Sequence, residues 1–195
     1  MIVAEMYLTL LPVIIAGSFN MIWCKLPFLK ALQKPMDGGE VLRDGKRIFG
    51  DNKTWKGFAG MVVLGTVFTV AWGLISGASA FLEAHNFMYR NYANTVGYNA
   101  LAGTLFGLAY AVFELPNSFI KRRLGIEPGK KRGRLSGAVN VFFDQADSVI
   151  GCVLVLSFFY PMRPLFFIAY VLLGAATHIV INMLLYLLKL RKNMF

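Results

Sequence analysis

A chain of 195 residues that is 57% hydrophobic and only 15% charged, with a mean hydropathy of +0.58, lacks the polar sequence needed to cover a soluble domain. Its net charge of +10 would suit a nucleic-acid partner, but every Lys and Arg except Arg90 and Arg163 falls in residues 25–56, residues 121–143 or the tail from Lys189. Basic loops between nearly uncharged spans exclude that partner and predict an all-α integral membrane protein, a bundle of about five transmembrane helices with two basic cytoplasmic loops.

In chain order, apolar runs long enough, or nearly so, to cross a hydrocarbon core of about 30 Å cover residues 2–24, 57–82, 98–120, 147–160 and 164–188. The first carries Glu5, has no basic leader and runs to about Cys24 without a small-residue cleavage site, which predicts a retained span and not a signal peptide. Asn20 in this span is expected to face the bundle, and Pro12 is tolerable there. The fourth run is short. It spans fully only if its helix begins near Phe142, with two aspartates in its first turns. The positive-inside rule puts the N-terminus outside and the C-terminus in the cytoplasm, which five crossings permit. No repeat, low-complexity tract or boundary divides the chain, so residues 1–195 read as one transmembrane domain in the cell membrane. Gly73/Gly77 and Gly103/Gly107 have the spacing that lets membrane helices approach closely; packing within the bundle is the expected use, and homo-oligomerisation the other. Cys24 and Cys152 have no metal-ligand spacing and read as packing residues.

Cations and carboxylates meet at one predicted membrane edge. Ser118 and Lys121 lie three apart, with Arg122 four from the serine, so a hydroxyl and two cations share a helix face that could grip a phosphate. The plainer use of such cations is a snorkelling flank. Asp144 and Asp147 are also three apart and could share a divalent cation; the alternative is that they cap the fourth helix, where carboxylates meet the positive end of the dipole. In the first basic loop, Gly45 and Gly50 have the gap of a phosphate-binding P-loop, but Asp51 and Asn52 separate the second glycine from Lys53. What remains is a glycine-punctuated loop able to present backbone N–H groups and Lys53 to a polyphosphate, or simply a solvated loop with an interfacial Trp55. The basic linker at 129–134 is expected to hold anionic headgroups, and His178 with Asn182 to form an interhelical hydrogen-bonding element.

The order R-D-G-x-R-I-x-G-D-x-K-T-W-x-G from Arg43, S-F-I-K-R-R-L-G-I from Ser118, D-Q-x-D from Asp144 and H-x-x-x-N from His178 resembles the CDP-archaeol synthase family, related to the CTP:phosphatidate cytidylyltransferases. The resemblance implies a Mg²⁺-dependent membrane enzyme that joins CTP to a lipid phosphate, giving a CDP-lipid and pyrophosphate, with room for a second cation. By matched position it implies that Asp144 and Asp147 hold metal, that Ser118, Lys121 and Arg122 bind substrate phosphate with Lys121 also catalytic, and that Asp51, Lys53 and Lys56 lie near the nucleotide. The implied lipid is 2,3-bis-O-geranylgeranylglycerol phosphate, with phosphatidate as the alternative; a non-catalytic headgroup binder or transporter is the competing class. One departure stands out: family members have Gly-Asp where this chain has Phe113-Glu114. Glu114 keeps a carboxylate one methylene longer that can still reach the metal, and Pro116 introduces a helix irregularity.

Overall fold

The computed structural model describes residues 1–127 and 134–189, with 134–141 as backbone only. The predicted headgroup-binding linker and the tail cations Arg191 and Lys192 lie outside the described side chains. Among the described residues six α-helices follow in order: α1 (Ile2–Lys25), α2 (Trp55–Gly77), α3 (Ala80–Ala84), α4 (Val96–Arg123), α5 (Arg134–Phe159) and α6 (Pro164–Leu187). All but α3 are long and apolar enough to cross a membrane, α5 already so over Phe142–Phe159.

Local chemistry sets the helix ends. Pro27 forces Leu26 into extended backbone (φ −64°, ψ 144°), which stops α1. Thr54 caps α2 by accepting from the Gly57 N–H at 3.1 Å, and Thr95 caps α4 by accepting from Tyr98 N–H at 3.2 Å. The predicted second span is too long: α2 ends at Gly77, and Ser79 starts the separate short helix α3 by accepting from the Leu82 N–H. The fourth span departs more. Its helix begins at Arg134, so Asp144 and Asp147 lie well inside α5, and the helix-capping alternative for them is overturned.

Packing is closest between α2 and α4, where small residues bring backbone against backbone. A Cβ added at Gly107 would sit 2.6 Å from the Met61 carbonyl oxygen and 2.7 Å from the Val62 Cα, and one at Gly103 would sit 2.6 Å from the Gly65 oxygen. Gly103 and Gly107 therefore do pack within the bundle, against Gly65 and the Met61-Val62 backbone. Gly73 and Gly77 instead make room for the side chains of Asn99 and Asn94. Asn20 does face α2, donating to the Gly57 carbonyl at 3.0 Å. At the end far from the basic loops, the ion pair Glu5–Arg90 at 2.8 Å ties α1 to the α3–α4 connection. There Phe87 packs on Tyr160 and Tyr170. His178 and Asn182 form the expected interhelical element, joining α6 to Tyr110 on α4 and Gln145 on α5.

Candidate active site

The first basic loop is held in shape by one carboxylate. Asp37, whose side chain is wholly buried, accepts from the N–H groups of Gly39 (3.2 Å), Phe49 (3.0 Å) and Gly50 (2.9 Å) and pairs with Arg47 at 2.5 Å. Burial works against its charge, but Arg47 and the backbone donors outweigh burial and hold the carboxyl well below the usual carboxylate range. Gly50, at φ 96°, provides the left-handed turn that aims its N–H inward. The loop is then fastened to the end of α4. The Arg123 guanidinium grips both Asp44 oxygens at 2.6 and 2.7 Å and donates to the carbonyls of Lys46 and Arg47, while the Lys46 ammonium donates to the Arg123 carbonyl at 2.7 Å.

This fastening brings Lys53 to α4, where its ammonium pairs with Glu114. Burial disfavours that ammonium, but Glu114, with help from Asp147 and Asp144, raises Lys53 above the ordinary lysine value. One turn along α4, Asn117 donates through a single nitrogen to Asp144 at 2.6 Å and Asp147 at 2.8 Å. Lys121, a further turn on, pairs with Asp144. Asp147 also accepts from the Ser148 N–H at 2.6 Å. Three segments distant in sequence thus build one polar cluster of alternating sign at one end of the bundle. Beside it, between α1, α2, α4 and the loop, lies a cavity of about 200 Å³ whose polar wall includes Asn52, Lys53 and Glu114 and whose apolar wall includes Met21, Phe58 and Met61.

The structure joins Lys53, Glu114, Lys121, Asp144 and Asp147 among the sequence-predicted residues. Ser118 and Arg122 are buried on the same helix, and the Nε and Nη1 of Arg122 have no hydrogen-bond partner among the described residues. Two others are directed elsewhere. Asp51 is largely exposed and pairs with Arg47 at 2.8 Å, and Lys56, 1% exposed, donates to the Leu26 carbonyl at 2.5 Å beneath the Phe28 ring. Glu114, the proposed third metal ligand, is occupied by Lys53. Sequence reasoning did not single out Asp37, Asn117 or Arg123 as site residues. The Asp-Gly-Gly run at 37–39 is the signal for Asp37, since an aspartate before glycines accepts from N–H groups of its own turn.

A family model described as CarS-like, CDP-archaeol synthase, matches residues 1–195. The CDP-archaeol synthase of Aeropyrum pernix is 29% identical over 191 residues, covering 97% of this chain and 91% of its own length. That of Thermofilum pendens is 29% identical over 193 residues, covering 97% and 79%. That of Methanopyrus kandleri is 31% identical over 161 residues, covering 82% and 78%. A solved intramembrane enzyme for archaeal membrane lipids biosynthesis superposes with a TM-score of 0.60 at 25% identity, over 91% of this chain and 92% of the other. With the family's sequence blocks folded together at one end of five membrane helices, the chain belongs to the CDP-archaeol synthase family and is a membrane cytidylyltransferase that makes a CDP-lipid.

Proposed function

We propose that the chain condenses CTP with 2,3-bis-O-geranylgeranylglycerol phosphate at the Asp144–Asp147 cluster, with Mg²⁺ bound there and the site open to the cytoplasm. The observation that carries this is the meeting of two carboxylates on one nitrogen of Asn117, flanked by Lys121 and by Lys53 from the first loop. The donor set suits Mg²⁺, which takes one or two carboxylates and fills its shell with water and phosphate oxygens. Among the described residues no three His, Cys, Asp or Glu side chains converge, so substrate and water would complete the shell.

Both reactants are anions, so the barrier is largely electrostatic and positional. Mg²⁺, when bound, supplies charge neutralisation across the phosphates. A lipid phosphate oxygen attacks the α-phosphorus of CTP in line; the new P–O bond forms as the bond to pyrophosphate breaks, and pyrophosphate leaves with the electron pair. The attacking oxygen is already ionised near neutral pH, so no protein base is needed. Lys121 and Lys53 offset the phosphate charge, and Arg122, whose Nε and Nη1 have no hydrogen-bond partner among the described residues, can take a phosphate oxygen. The cytoplasmic orientation is supported by the basic loop and the cationic end of α4 lying at the same end of the bundle.

Incubating the purified protein with labelled CTP, Mg²⁺ and the lipid phosphate tests this. Asp147→Asn should abolish CDP-lipid formation in a folded protein, and wild-type turnover by that variant would remove the metal assignment. Running isoprenoid ether and diacyl phosphates side by side reads the tail preference.

A further inference from the structure

The aspartates sit on the face of α5 that meets α4, and Gln145, one of the two residues between them, faces the other way. Gln145 follows Asp144 by about 100° around the helix and is 3% exposed. Two groups from α6 hold it. Asn182, 7% exposed, donates through its amide to the Gln145 side-chain oxygen, and the His178 Nδ1 lies 3.3 Å from the Gln145 backbone carbonyl. A carbonyl can only accept, so Nδ1 donates there, while Nε2 lies 3.1 Å from the Tyr110 hydroxyl on α4. The turn of α5 that carries both carboxylates is thereby fixed to α4 and α6 at once.

We infer that His178 and Asn182 are positioning residues, which act through Gln145 to set the rotation of α5 and so the spacing at which Asp144 and Asp147 meet a cation. This rests on the assignment of the aspartates to a cation site. The leverage is geometric. A carboxylate about 5 Å from a helix axis moves about 1.7 Å when the helix turns by about 20°, and displacements of that size at a reacting centre cost on the order of 100-fold. The remaining surface of α6 is largely apolar, with Val149 of α5 seated against Gly174, and apolar burial is in itself not directional. The hydrogen bonds to Gln145 add a directional tie that favours one rotation. In sites of this kind, partners behind the ligands typically change metal affinity by 10-fold to 100-fold.

The test is Mn²⁺ binding to the full-length detergent-solubilised protein, followed by electron paramagnetic resonance without substrate, alongside thermal melting. Asn182→Leu and His178→Phe remove the two ties while keeping bulk, and each should raise the Mn²⁺ concentration for half-occupancy by 10-fold to 100-fold. Thr177→Val serves as the comparison, because it breaks the 2.9 Å hydrogen bond from α6 to Tyr7 without touching Gln145. It should leave Mn²⁺ affinity unchanged whatever it does to the melting temperature. Wild-type Mn²⁺ affinity in either tie variant that melts cooperatively overturns the inference, as does an equal loss in Thr177→Val. If neither tie variant folds, Gln145→Met is measured against the same expectation. Wild-type Mn²⁺ binding by Asp147→Asn would instead overturn the cation site itself, so the two failures are distinguishable.

Discussion

Replacing Asp37 by Asn changes few atoms and should open the first loop. Its Oδ2 accepts from Phe49 N–H, Gly50 N–H and Arg47 Nε, while Oδ1 accepts from Gly39 N–H and Arg47 Nη2. Whichever way an amide is turned, its NH₂ faces at least two of these donors, so at least two charge-assisted hydrogen bonds are lost. At about 1.5 kcal/mol each, the closed loop loses about 3 kcal/mol, or about 100-fold in its opening equilibrium. Hydrogen exchange at the Phe49 and Gly50 amides reads that opening directly, and should accelerate by about that factor in Asp37→Asn. Exchange within about threefold of wild type would refute the view that this carboxylate organises the loop. The pH dependence has a definite sign. The folded-state value of Asp37 is depressed, so its stabilisation is complete above the unfolded carboxylate value of about 3.9 and is lost as pH falls from there through the folded value. The gap in exchange between wild type and variant should therefore narrow below about pH 4.

The two lysines of the K-T-W-K run should behave differently. Lys53→Met should lower kcat/KM for CTP by at least 10-fold, because Lys53 reaches the cluster, whereas Lys56→Met should leave KM for CTP unchanged and lower stability by about 1–3 kcal/mol through the unpaired Leu26 carbonyl. Steady-state kinetics beside melting curves separate the two, and a raised KM in Lys56→Met would return that lysine to the substrate site. Gly107→Ala should push α2 from α4 and cost about 1–3 kcal/mol in a denaturant titration in detergent, since the new methyl meets the backbone of Met61 and Val62; unchanged stability would show that the contact yields.

Much of the fold was legible because lipid imposes a simple rule: a span must be apolar and about as long as the bilayer is thick. That rule found all five spans and failed where it does not apply. It placed the start of α5 too late, since residues 134–141 are already helical, and it ran α2 on through a break that Ser79 makes by capping α3. The acid and base motifs were legible as charges placed at the expense of desolvation. Their partners were not. That Asn117 bridges the aspartates depends on how α4 and α5 are rotated together, which no local pattern records. Lys56 shows the converse: it adjoins Lys53 in a recognisable block, yet the first turn of α2 directs it into the protein, to the end of α1.

The backbone seam between α2 and α4 restricts how this enzyme can move. Helices separated by side chains can slide as rotamers exchange, but two helices whose main chains touch have no such play. They form a fixed post bearing the Thr54 cap on one side and Glu114, Asn117 and Lys121 on the other. A lipid substrate arriving from the bilayer would then part some other pair of helices, and the product would leave by a gap that spares this post.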